Sequence, residues 1–110
     1  MMRLTAAFWV HAYLARLRLN EIPAFVVAHG DDTAGAVLVK LNSLDGKAVL
    51  FQRVFDLMSD TRHWDVLAEG DEADVDAVVT RQRGYDADIW VLEVEDRQGR
   101  HLLDEPGLDE

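Results

Sequence analysis

Glu93 and Glu95 stand two residues apart in the run Ile89 to Val94 (IWVLEV) and its next residue. That run alternates as a β-strand does, so both carboxylates project from one face, roughly 7 Å apart. Asp86 and Asp88 lie just upstream and add two more carboxylates to this acidic cluster. Oxygen donors of this kind suit Mg²⁺ or Ca²⁺. With Asp31 or Asp32, from a loop earlier in the chain, they compose a candidate metal set. The plainer explanation is a solvated sheet face, because Trp90, Leu92 and Val94 occupy the alternate, inward positions.

Hydrolytic chemistry has one further foothold. The order helix, strands, helix, strand resembles the core of a restriction-endonuclease-like nuclease. Such a site needs an acid on one strand and an acid-x-Lys on the next, so that carboxylates hold the metal and lysine orients water. Lys40 lies on a strand that follows Asp31 and Asp32, yet the position two before it is Leu38. The second acid is missing.

Other reactive groups are dispersed. His11, His29, His63 and His101 form no ligand pair at metal-binding spacing. Ser43 and Ser59 lie in turns without a nucleophile elbow. Gly30 and Gly35 enclose two aspartates, which would repel a phosphate. Arg81, Arg83, Tyr85, Asp86, Asp88 and Trp90 crowd one helix-to-strand junction, where pairing would lock the second helix to the last strand.

The chain that must position these groups has 110 residues, room for one domain with one core. Its 21 acidic against 11 basic residues give a net charge of −10, which repels a phosphate backbone and makes nucleic acid a poor partner. No cysteine is present, which removes disulfides, thiolate zinc sites and thiol nucleophiles and points to the cytoplasm. The apolar start is interrupted by His11, Arg16 and Arg18, so it reads as a helix rather than a signal peptide, and no run is long enough for a membrane span.

Thr5 can cap a helix reaching about Leu19, with Pro23 preventing continuation. Two apolar stripes appear on it: Ala6, Val10, Tyr13, Leu14 and Leu17, and on another side Phe8, Ala12, Ala15 and Leu19. A helix on a sheet needs one stripe. The second is available either to a second copy of the chain or to the segment from Val54 to Thr61, whose Phe55, Leu57 and Met58 also require cover. Strands follow at Ala24 to His29, Gly35 to Asn42 and Ala48 to Val54, the last two joined through Asp45-Gly46 as a hairpin. A short strand at His63 to Leu67 precedes a helix capped by Asp71 and ended by Gly84. The strand from Ile89 comes last, and His101 to Leu103 can add an edge. This gives an α+β domain over residues 1–103, a mainly antiparallel sheet of four to six strands with two helices in the order α-β-β-β-β-α-β, and a loose acidic tail over 104–110.

The first helix, the strand GAVLVKLN with its following Leu-Asp-Gly, and the segment Arg81 to Asp104 (RQRGYDADIWVLEVEDRQGRHLLD) resemble an alphaproteobacterial family catalogued as domain of unknown function 1491. The resemblance covers nearly the whole chain and is looser over Val54 to Thr61. It implies a single-domain bacterial protein of this size and brings no activity, ligand, cofactor or catalytic residue.

Two functional readings survive. The first is a small cytosolic interaction module whose partner is itself or another protein, using Phe8, Trp9, Tyr13, Arg16 and Leu19 as its surface. The second is a metal-dependent hydrolase or nuclease-like enzyme built on Glu93, Glu95, Asp31 and Asp32. The residues favour the first, with no cofactor and no catalytic set.

Overall fold

Thr5 holds extended backbone, and its Oγ1 accepts the Phe8 N–H at 3.2 Å, so the chain enters α1 (Ala6–Leu19) with one free amide already satisfied. The other end closes in a Schellman arrangement, with Ile22 N–H donating to Leu17 O and Glu21 N–H to Arg18 O. Glu21 takes the left-handed conformation there (φ 59°), a place where glycine is usual. Ile22 and Leu17 are both buried, which anchors the turn into the first strand.

The computed structural model describes residues 5–108. After α1 come β1 (Ala24–Ala28), β2 (Val37–Asn42), β3 (Lys47–Asp56), β4 (Thr61–Asp71), α2 (Glu72–Tyr85) and β5 (Trp90–Glu95). The strands form one sheet in the order β1-β5-β2-β3-β4. Three neighbouring pairs are antiparallel, and β5 runs parallel to β2. The fold is therefore α+β with a mainly antiparallel sheet, and the last strand enters between two earlier ones.

The two faces bury separate cores. Trp9, Val10, Tyr13 and Leu17 of α1 pack on Val37, Val39, Leu41, Trp90, Leu92 and Val94. Val75 and Val79 of α2 pack on Leu38, Leu50 and Val91 from the opposite face. α2 lies mainly over β3 and β4, and of β1 only Ala28 joins the core beneath it.

Several expectations are corrected. The β2–β3 hairpin through Asp45-Gly46 stands, its four-residue loop carrying Leu44 and Gly46 at positive φ, and β3 starts one residue earlier than expected, at Lys47. The segment after Val54 is not irregular: β3 continues to Asp56 and pairs along its length with an eleven-residue β4. Leu57 and Met58 sit at the tip of that hairpin and face solvent, so they do not cover α1. Asp71 stands at the N-cap of α2 without a capping bond, its carboxylate held by Lys47 instead, while Gly46 O accepts the Glu72 N–H. Gly84 lies within α2, which ends at Tyr85. His101 to Leu103 add no strand. Of the expected loose tail, residues 104–108 fold back: Leu108 is buried and its carbonyl accepts the Trp64 indole N–H at 3.1 Å. Residues 109–110 of that tail lie outside the described residues.

Candidate functional site

Lys40 is the most buried charged side chain among the described residues, 4% exposed on the α2 face of β2. Its Nζ donates to Glu72 Oε2 at 2.7 Å and Asp76 Oδ1 at 2.6 Å, and lies 3.3 Å from Glu93 Oε1. Glu72 and Asp76 are four apart on α2, so one helix face supplies both. Parallel pairing sets Lys40 opposite Glu93. Two of the three N–H donors of the ammonium are bonded to carboxylates, and Glu93 adds a third negative charge within ion-pair distance. Asn42 extends the network, donating from Nδ2 to Glu72 Oε2 at 3.1 Å and Glu93 Oε2 at 3.4 Å, while its Oδ1 accepts the Leu44 N–H.

Burial pulls the Lys40 pKa down, but its hydrogen bonds to Asp76 and Glu72 and the Glu93 charge outweigh it, leaving the group above the ordinary lysine range. A lysine held this firmly protonated is neither a nucleophile nor a base. It is a structural cation.

The metal candidates do not converge. Glu93 is engaged by Lys40. Asp31 belongs to the loop beside the start of β5: its N–H donates to Asp88 O, its Oδ2 accepts Thr33 and Ala34 N–H, and its carbonyl accepts the Trp90 indole N–H at 2.8 Å. Asp32 Oδ1 is 2.7 Å from His29 Nε2, and its carbonyl accepts Ala7 N–H at the head of α1. Glu93 and Glu95 stand three and five residues beyond Trp90, hence about 10 and 16 Å along the strand. Gly30 and Gly35 serve close packing in this loop, since a Cβ on either would fall within 3 Å of Asp88 O. Among the described residues no group of three or more His, Asp or Glu is arranged to hold a metal ion. The Arg81–Trp90 junction does not lock as expected either: Arg81, Arg83 and Tyr85 are exposed, and Trp90 bonds to Asp31.

The five residues expected to form an interaction surface on α1 separate. Trp9 and Tyr13 belong to the core, their rings stacked with centroids 4.9 Å apart. Tyr13 OH donates to His101 O at 2.8 Å, and burial pushes its phenol well above the ordinary range. Arg16 lies 3.6 Å from Glu105. Only Phe8 and Leu19 face outward, 60% and 82% exposed, at opposite ends of the helix with Ala12 and Ala15 between them.

Two features went unnoticed in the sequence. One is β1, where Phe25, Val26 and Val27 are 47%, 40% and 47% exposed on the outermost strand. The other is Arg53, whose guanidinium carbon lies 5.3 Å from the Trp9 ring centroid and 6.0 Å from that of Trp64. Desolvation, followed by the neighbouring Arg62 charge, pushes the Arg53 pKa down to about 10.

Comparison with known proteins places this architecture. The family model described as a protein of unknown function, DUF1491, matches residues 4–104. A DUF1491 family protein from Caulobacter crescentus, solved by crystallography, is 41% identical with a TM-score of 0.82, covering 96% of this chain and 97% of that one. A nuclear magnetic resonance structure of a DUF1491 family protein from the same organism superposes with a TM-score of 0.83 at 41% identity and the same coverage. A protein from A. tumefaciens, solved in solution, is 27% identical with a TM-score of 0.73, covering 86% of each chain. No curated protein matches the sequence. The chain belongs to the DUF1491 family.

Proposed function

We propose that this DUF1491 protein is a cytosolic bacterial interaction module that pairs with a second copy of itself along β1. The observation that carries this reading is the open edge: β1 hydrogen-bonds to β5 on one side, and its other side presents Ala24-Phe-Val-Val-Ala28 without a charge. An uncovered apolar edge strand is a template for strand addition. The opposite edge, β4, is built differently, with Arg62, His63, Asp65, Glu69 and Asp71 along it. Charges of this kind discourage pairing there.

A second copy is favoured as the occupant because the strand is self-complementary. A two-fold axis at Val26 sets that residue against its own symmetry mate and Phe25 against Val27, as an isologous interface requires. Two chains of charge −10 repel at long range, so they can meet only where the acids are absent. The lack of cysteine agrees with a reducing compartment, and no described helix is long and apolar enough to cross a membrane.

Sedimentation velocity tests this. The wild type should sediment as a dimer at high micromolar concentration, more tightly as added salt screens the repulsion. Val26→Asp, which places two carboxylates face to face, should give a folded monomer. Leu19→Asp, on the outer side of α1, should leave the dimer intact. A wild type that stays monomeric into the millimolar range ends the proposal.

A further inference from the structure

Arg53 and Arg62 sit on the α1 face of the long hairpin, on neighbouring strands. Arg53 pairs with Trp64 and Phe55 with Arg62, so the two arginines are diagonal neighbours on one face. Both are half-buried. Among the described residues neither guanidinium has a carboxylate within ion-pair distance, although the chain holds 21 acids. Two like charges are thus held side by side without a counterion among the described residues, in a protein with many acids to spare.

A second observation points the same way. The Trp9 indole N–H is buried without any acceptor, in a side chain only 2% exposed, and it is the sole buried side-chain polar atom left unpaired among the described residues. Trp9 and Trp64 lie 5.2 Å apart and both face the Arg53 guanidinium, so an unused donor and an uncompensated cation share one cluster. A buried donor without a partner is a standing cost that an arriving acceptor would relieve.

We propose that Arg53 and Arg62, walled by Trp9 and Trp64, form a receptor for a small oxyanion, a carboxylate or a phosphate. The planar guanidinium fork matches either group bidentately, and the tryptophan faces hold it in one plane. Two sources have this chemistry: an anion from solution, or the carboxylates of Asp109 and Glu110, which follow Leu108 in the sequence. The site is independent of β1, which lies at the other edge of the sheet.

Nitrogen-15 spectra of the full chain decide the matter. The signals to follow are Arg53 Nε–H and the Trp9 indole N–H, with the Trp90 indole, bonded to Asp31 O, as the unmoved control. If the ligand comes from solution, inorganic phosphate or succinate should shift both signals saturably, and Arg53→Met or Arg62→Gln should weaken the response tenfold or more. If the tail supplies the carboxylate, Asp109→Asn with Glu110→Gln should itself move both signals and tighten phosphate at least fivefold. Signals that respond neither to the added anions nor to the tail substitutions would overturn the assignment.

Discussion

Lys40 and Arg53 are two cations on opposite faces of one sheet, and the protein treats them in opposite ways. Lys40 is enclosed by Glu72, Asp76 and Glu93, one positive charge among three negative ones. Arg53 has a second arginine beside it and two indoles for company. The lysine is a finished interaction that ties β2 and β5 to α2. The arginine is an unfinished one. The contrast separates a charge spent on holding the fold from a charge left available, and burial alone would not have told them apart.

Removing Lys40 should therefore have the largest effect. Lys40→Met leaves three carboxylates converging on an apolar stem, and breaking a buried ion network from one side costs about 3 kcal/mol where, as here, the acids are partly exposed. The urea midpoint should drop accordingly. Glu72→Gln keeps the shape and removes one charge of three, for an expected loss of about 1 kcal/mol on the same measurement. Arg53→Met should change stability by less than about 1 kcal/mol, because a cation–π contact of that order is exchanged for apolar packing. A loss at Arg53 as large as that at Lys40 would erase the distinction drawn between them.

The smallest effect belongs to pH. His101, next to Phe51 in the same aromatic region, is held below the ordinary histidine range first by burial, against a weaker upward pull from Asp104. The unfolded chain therefore binds this proton more readily than the folded one, so stability falls as pH drops through the unfolded value near 6.5. Thermal unfolding between pH 7 and pH 5 should show that slope, and His101→Gln should flatten it.

How much of this was legible in the sequence depends on the range of the interaction. The element order, the β2–β3 hairpin and the inward positions Trp90, Leu92 and Val94 follow from local alternation and turn chemistry, and they stand. The position of Glu93 was readable, but not its partner. Lys40 meets Glu93 only because β5 returns parallel to β2, a pairing fixed by tertiary packing. On α1 the first stripe stands, with Ala6, Val10, Tyr13 and Leu17 buried, but Trp9, expected on an interaction surface, joins it in the core, where Trp64 from β4 reaches across to it. Trp64 lies within the stretch His63 to Leu67 that reads as a strand, but its place beside Trp9 depends on the β3–β4 pairing, and the mixture of charges and small residues in β4 conceals the strand's eleven-residue extent. Leu108 lies in the stretch expected as tail, and its bond to Trp64 is likewise a long-range contact that local pattern does not reveal.

The insertion of β5 between β1 and β2 has a consequence for synthesis. While the ribosome is still making residues 90–95, β1 has no neighbour on either side, and the hairpin that follows it cannot supply one. Ala24-Phe-Val-Val-Ala28 must wait, fully unpaired, until the 67 residues from 29 to 95 have been made. Closure is thus a late and long-range event, the slow kind. A nascent chain stalled before Trp90 would carry its stickiest segment bare, and holdase chaperones would find their target there.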